Sequence, residues 1–399
     1  MRRILTVVPS LGIGGTERCA VTFALAYNRL NQDSRVWAFQ GGSRRQQLTS
    51  RDIRTHIGRD RPRWDWDWVP DVVHLHSNGM CREDVLQLKS MYPGVIIVLQ
   101  NVFAHPTPYD DLLDINFQLS RDCLEKYYVR GGKRPSTVIP NPIDPSPFFR
   151  DSGAAAHLRI ELGLSQSTFV VTRVGQPITY KWSPMLLLAF DRVCSRGIDA
   201  NLVLVGCPQD VIRQIQRSPW AHQIHVIPET LNDSQLRAVY SATDLFAHAA
   251  AQGESFGYVL VEAMLCGAPT LTLATPRADN SQGEVVGRYG YIAESSHAFK
   301  KIMMAGAQGT LPLVPYPDSR NSMIARYEDI RVADNALGVM ESLMNGNALD
   351  ITQISRDEFG AWRRRWDRWL HWSAPKFSNG AWRWIPHQIA TKFRRKRAA

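Results

Sequence analysis

Short apolar, β-branched runs alternate with helical patterns along almost the whole chain. In the first part the runs fall at residues 4–8, 36–39, 72–75, 95–99 and 137–139; in the second they fall at 169–174, 202–205, 225–227, 245–248 and 270–274. None alternates polar with apolar residues, so each reads as a strand buried on both faces. Helical patterns intervene, as at 16–30, 121–129, 184–195, 233–241 and 257–266. Strands of this kind separated by helices indicate parallel sheets covered on both sides, and therefore α/β architecture with one sheet in each half.

The two series meet at Ile139-Pro140-Asn141-Pro142-Ile143-Asp144-Pro145-Ser146-Pro147, where four prolines remove backbone donors and forbid helix. The linker is placed there. Residues 1–150 form the expected N-terminal domain and residues 151–355 the second, with 356–372 a separate helix and 373–399 a tail. A length of 399 residues suits two or three domains. The segment 306–322 looks less regular.

No run of about 18 apolar residues occurs, so no transmembrane helix is expected; the nearest stretch, 258–274, is interrupted by Glu262, Gly267 and Pro269. Arg2 and Arg3 before an apolar stretch imitate a signal peptide. The stretch stops at Pro9 with no small-x-small site after it, so it reads as a first buried strand. Six scattered cysteines without a C-x-x-C argue against a disulfide framework or structural zinc and fit a reducing cytoplasm. The net charge of +10 is concentrated: residues 356–399 hold twelve Arg and Lys against three Asp and Glu, the remainder 35 against 34. An acidic surface would be met mainly through the C-terminal segment.

Two constellations carry chemistry. The first is Gly12-Ile13-Gly14-Gly15-Thr16-Glu17, between the first strand and the first helix, where backbone N–H groups can approach an anion or an oxygen-rich sugar. A dinucleotide fingerprint would need glycine at Glu17 and an acid after the second strand, where Phe39-Gln40-Gly41-Gly42 stands. A plain strand-to-helix turn explains the loop equally well. The second is Gly253-Glu254-Ser255-Phe256-Gly257-Tyr258 leading into Val259-Leu260-Val261-Glu262-Ala263-Met264. Glu254 precedes a helix N-terminus, an ordinary capping position. Glu262 sits inside an apolar helix, where its carboxyl group must find a partner or carry a desolvation cost.

Glu254-x7-Glu262 with Phe256-Gly257 inside it resembles the retaining glycosyltransferases of family 4. So do Gly14-Gly15-Thr16-Glu17-Arg18, Asp71-Val72-Val73-His74-Leu75-His76, the proline-rich linker, Gly267-Ala268-Pro269, and Asp279-Asn280 with Gly283-Glu284. The resemblance covers most of the chain. It implies the GT-B fold, two Rossmann-like domains whose parallel sheets face a central cleft. It also implies that Glu254 contacts the transferred sugar and Glu262 the ribose hydroxyls, with Gly14, Gly15, Phe256 and Gly257 on the donor. A carboxylate suits both roles because it accepts from two hydroxyls at once.

The same family carries an arginine and, five residues later, a lysine against the leaving diphosphate. Here Lys181 is present and Gln176 stands in the arginine's place; Arg173 on the preceding strand is a candidate substitute. A lost charge-assisted contact is worth about 1.5–3 kcal/mol. The family's histidine after the fourth-strand neighbour is also replaced, by Gln100-Asn101, with His105 four residues on; Asn101 and His105 are the acceptor-side candidates. His74 and His76, two apart on one strand face, read as satisfied structural histidines. Asp65-Trp66-Asp67 is discounted as a metal motif because it does not close an apolar strand. No obligatory metal or other cofactor is expected.

In the last segment Trp362, Trp366, Trp369 and Trp372 share one helical arc, suiting either packing back on the first domain or a membrane interface. The tail beyond is too basic for a core and suits an anionic leaflet at about 1 kcal/mol per basic group. The neutral body argues against nucleic acid as partner.

The expectation is a cytoplasmic glycosyltransferase, peripheral on the inner leaflet, acting in cell-surface polysaccharide synthesis. It would take a sugar from a nucleotide sugar to a glycan or lipid-linked acceptor with retention. The alternative is a catalytically degenerate GT-B protein that binds a glycan or partner at the membrane. A nicotinamide dehydrogenase is disfavoured by Glu17 and the absent ribose acid.

Overall fold

A computed structural model describes residues 1–346 apart from 63, 65, 66, 77–79, 229, 230, 251, 276–278 and 313. The expected helix at 356–372, the tail at 373–399 and Asp65-Trp66 lie outside the described residues. The first sheet comprises β1 (Arg3–Ser10), β2 (Asp33–Gln40), β3 (Thr55–Ile57), β4 (Val72–His76), β5 (Ile96–Asn101), β6 (Ile115–Gln118) and β7 (Ser136–Val138). It is parallel throughout, in the order β3-β2-β1-β4-β5-β6-β7. The second half contributes β8 (Phe169–Val174), β9 (Ala200–Val205), β10 (Ile224–Ile227), β11 (Leu245–His248), the two-residue β12 (Gly253–Glu254), β13 (Thr270–Leu273), the two-residue β14 (Asp279–Asn280) and β15 (Tyr291–Ala293). Six of these form a second parallel sheet, β10-β9-β8-β11-β13-β15, and β12 pairs separately with β14.

Helices fill the crossovers, as parallel pairing requires. The first domain has α1 (Gly15–Arg29), α2 (Arg45–Thr49), α3 (Arg82–Met91) and α4 (Arg121–Val129). The second has α5 (Ser152–Glu161), α6 (Met185–Cys194), α7 (Gln209–Ile215), α8 (Asp233–Ser241), α9 (Tyr258–Leu265), α10 (Ser281–Val286) and α11 (Ser296–Ala307), followed by α12 (Tyr316–Tyr327) and α13 (Asp329–Met344). Two Rossmann-like α/β domains result. Among the described residues no helix is long and apolar enough to cross a membrane.

Besides the two-residue β12 and β14, three strands were not among the expected runs, for a visible reason. β6 reads Ile-Asn-Phe-Gln, and its Asn116 is buried only because Nδ2 donates to the Tyr127 hydroxyl at 3.1 Å. β3 and β15 are three residues each, too short to show a pattern. The segment 306–322, expected to be irregular, contains the start of α12.

The last helix also departs from expectation. Residues 329–344 belong by sequence to the second domain, yet Val332, Ala333, Ala336 and Met340 of α13 pack into the core of the first, against Ile4, Phe23, Tyr27 and Ile115. Arg29 of α1 pairs with the buried Asp329. The chain thus crosses back before residue 330, and the two crossings lie side by side. Ile143 N–H donates to Tyr327 O at 2.8 Å, and Asp329 N–H donates to Ile143 O at 2.9 Å.

His74 and His76 are fully buried on β4 with ring centroids 4.3 Å apart. The Tyr27 hydroxyl lies 3.0 Å from His74 Nδ1, but neither ring nitrogen of His76 has a hydrogen-bond partner among the described residues. Both were expected to be satisfied; only His74 is, and only in part. Burial pushes His74 down to about 3 and His76 well below the ordinary histidine range. The unfolded chain therefore binds protons below about pH 6.5 that the folded chain refuses. Stability is fully present above that pH and is lost as pH falls towards 3. The thermal midpoint should drop steadily from pH 7 to pH 4, and His76→Leu should drop more shallowly; equal slopes in parallel thermal scans would contradict this.

Candidate active site

The C-terminal ends of parallel strands collect the loops in which such folds place ligands. In the second domain β8 ends at Val174 and runs into Gly175-Gln176, and β11 ends at His248, leading to Glu254 on β12. Glu254 N–H donates to Gln282 Oε1 at 3.0 Å, which fixes the loop to α10. The chain then turns into α9 through Gly257, whose φ is +88°. A Cβ there would come within 2.9 Å of Leu260 Cδ1, so the turn needs glycine. Phe256 is buried edge-on against Tyr258 and Tyr327, so its ring serves packing.

The residues expected to act together fall into two clusters. The first surrounds Glu254. His248 Nε2 lies 3.3 Å from Glu254 Oε1, and His248 Nδ1 lies 2.7 Å from Arg173 Nη1. Arg173 Nη2 donates to the Lys181 carbonyl at 2.8 Å, and its guanidinium lies 4.7 Å from the Trp182 ring centroid. Lys181, in a single 3-10 turn, donates from Nζ to Gln176 Oε1 at 2.8 Å. Burial opposes the charge on Glu254, but His248, Lys181 and Arg173 outweigh it and hold the carboxyl group below its ordinary range. Burial, helped by the Arg173 charge, keeps His248 below its own.

Glu262 heads the second cluster and is 1% exposed. Tyr240 of α8 donates to Oε2 at 2.7 Å, and Arg18 of α1 donates from Nη1 to Oε1. The Arg18 guanidinium lies over the Tyr258 ring at 4.7 Å and near Phe148 at 5.6 Å. Both carboxylate oxygens are therefore engaged by protein, one of them from the other domain.

The glycine loop lies beside this second cluster. Gly14 caps α1, and a Cβ on it would meet Glu17 Oε2 at 2.2 Å; Glu17 itself accepts from Ser10 Oγ at 3.0 Å. Gly15 faces the Tyr258 ring, 3.8 Å from the position its Cβ would take. Asn101, at the end of β5, is buried and holds its own loop: Nδ2 donates to His105 O at 2.8 Å and Oδ1 accepts from Phe103 N–H at 3.2 Å. The His105 side chain is exposed. Neither belongs to the two glutamate clusters.

Sequence reasoning did not single out His248 or Tyr240. The available signal was an imidazole at the end of an otherwise apolar strand, Leu245-Phe246-Ala247-His248, beside another strand that carries a buried arginine.

Residues 157–299 match the family model of glycosyl transferases group 1. The stretch includes both clusters apart from Arg18 and Phe148. The chain is also 32% identical over 168 residues to a D-inositol 3-phosphate glycosyltransferase of Segniliparus rotundus, a match covering 40% of this chain and 36% of that enzyme. The chain thus spans about a third of the curated relative's length. Anabaena HepE, crystallised in complex with UDP-glucose, superposes with a TM-score of 0.70 at 18% identity, over 86% of this chain and 100% of that one. WaaG, a glycosyltransferase involved in lipopolysaccharide biosynthesis, superposes with a TM-score of 0.59 at 14% identity, over 84% and 99%. The fold is that of GT-B glycosyltransferases.

Removing one member of a buried charge pair strands the other, at a cost of about 3 kcal/mol or more. Arg18→Ala should accordingly lower the unfolding free energy by about 3 kcal/mol, whereas Arg18→Lys should lose less. Urea denaturation of the three proteins measures the difference.

Proposed function

We propose that the chain is a glycosyltransferase that moves a sugar from a nucleoside diphosphate sugar to a glycan or lipid-linked saccharide. We assign it to family 4, with retention of anomeric configuration and a role in cell-surface polysaccharide synthesis. One observation carries the reading: Glu254 and the Lys181 turn are linked through His248 and Arg173 beyond the ends of β8 and β11, inside the stretch that matches the glycosyl transferase model. The glycosyltransferase activity of the relative in Segniliparus rotundus and the UDP-glucose complex of a fold neighbour support it.

In this reading Lys181 and the N-terminus of α9 stabilise the departing diphosphate, and Glu254 contacts the transferred sugar as positive charge develops on it. Gln176 supplies no charge; it fixes the Lys181 ammonium through a 2.8 Å hydrogen bond. Glu262 receives the ribose hydroxyls once Arg18 has withdrawn. The acceptor lies on the side of Asn101 and His105, across the cleft from Glu254. Neither a metal nor an organic cofactor is assigned a step. The tail at 373–399 would hold the protein to anionic lipid on the cytoplasmic leaflet.

One observation favours a second reading. With both oxygens of Glu262 engaged by Arg18 and Tyr240, the protein also fits a glycan- or partner-binding module that has lost nucleotide binding. Thermal shift with UDP, GDP, ADP and their sugar conjugates separates the two, since a bound nucleotide raises the midpoint. For the enzyme, Glu262→Ala should weaken nucleotide binding, and Lys181→Ala should lower turnover about ten- to a hundredfold. Turnover unchanged by both substitutions, or no shift with any nucleotide, rejects the enzyme reading.

A further inference from the structure

Arg173 is 1% exposed on β8, a strand otherwise built of Phe, Val and Thr. A buried guanidinium is costly unless its charge is met. Among the described residues it makes no direct ion pair, and its Nε has no partner. Its two terminal nitrogens instead reach two neutral acceptors, His248 Nδ1 and the Lys181 carbonyl. An apolar residue on this strand would fill the space at lower cost, so stability does not account for the arginine.

We propose that Arg173 and His248 are positioning residues that set the Glu254 carboxylate and the Lys181 turn in one fixed relation. A guanidinium only donates, so His248 Nδ1 must accept, and the neutral ring carries its proton on Nε2. Nε2 lies 3.3 Å from Glu254 Oε1 without the alignment of a formed hydrogen bond among the described residues, so Glu254 is the carboxylate within its reach. The other end of the same guanidinium holds the carbonyl of Lys181, whose ammonium is tethered to Gln176. The Trp182 indole covers the guanidinium and donates from Nε1 to Gln176 O at 2.8 Å, closing the loop on itself. One buried cation thereby links the group proposed to face the sugar with the group proposed to face the diphosphate. Burial and the neighbouring cation keep the imidazole neutral, which preserves the arrangement at physiological pH. The inference rests on the roles given to Glu254 and Lys181 in the proposed function.

The test uses the full chain with UDP-glucose, GDP-mannose and ADP-glucose as donor probes, following sugar transfer or donor hydrolysis. His248→Leu removes both the acceptor for Arg173 and the ring nitrogen that lies 3.3 Å from Glu254. It should lower kcat about tenfold or more while KM for the donor changes less than about threefold. His248→Gln keeps an amide donor towards Glu254 and should restore kcat to within about threefold of the parent. Arg173→Met should lower kcat further, because Glu254 and Lys181 are both released. In the parent labelled with 15N-histidine, NMR should show His248 protonated on Nε2 alone between pH 6 and 8, and Arg173→Met should abolish that single tautomer. A purely structural role would lower the thermal midpoint in all three variants without splitting kcat from KM and without rescue by glutamine. The proposal is overturned if His248→Leu turns over like the parent while Glu254→Gln is impaired. Should Glu254→Gln also be unimpaired, or the parent process none of the donors, the glycosyl-transfer reading itself falls and takes this proposal with it.

Discussion

A carboxyl group in the middle of an all-apolar helix cannot leave its hydrogen-bonding capacity unmet, and Glu262 on α9 meets it on two sides. Tyr240 comes from α8 of the same domain, and Arg18 comes from α1 of the other. The second contact spans 244 positions of chain. It joins a helix that starts at the glycine loop to a helix that starts at Gly257. The placement of Gly15 against Tyr258, and of Arg18 between Tyr258 and Phe148, follows from it. Other contacts reinforce the same apposition. The Glu284 carboxylate accepts from Arg121 and Asp122 N–H at the start of α4, and Ser120 and Ser281 hydroxyls meet at 2.6 Å.

The two glutamates, eight positions apart in sequence, consequently serve two different environments. Glu254 lies among cations and an imidazole belonging to its own domain; Glu262 is shared across the domains. Such a division suits a reaction whose donor has a charged reacting end and a neutral, hydroxyl-rich end. It also means that substitutions at the two positions act through different physics. At Glu254 the local charge balance changes, whereas at Glu262 a cross-domain contact is lost as well.

Much of this architecture was legible in the chain. Strands buried on both faces show as unbroken apolar runs, and the observed bounds of β8, β11, α4 and α8 coincide with those read from pattern. Glu262 announced itself as a carboxyl group in an apolar helix. Partners were not legible, because nothing local encodes that Arg18 meets Glu262 or that Arg173 meets His248. Gln176 read as a missing charge, and only its 2.8 Å contact reveals it as a tether for Lys181. The return of α13 to the first domain was not anticipated, for another reason. The tryptophan period at 362–372 is louder than the stripe of Val332, Ala333, Ala336 and Met340, whose two alanines add little apolar bulk, although that stripe packs into the first domain's core. Small residues bury less area each, but they let helices approach closely, and a reading weighted by hydrophobic size overlooks them.

The paired crossings at Ile143 and Tyr327–Asp329 have a mechanical consequence. Two covalent connections stitched together by backbone hydrogen bonds behave as a single narrow ribbon, which bends easily across its width and resists shear along its length. An opening of this molecule would swing about that ribbon and would have to break the Arg18–Glu262 contact, which lies close beside it through Tyr258 and Phe148.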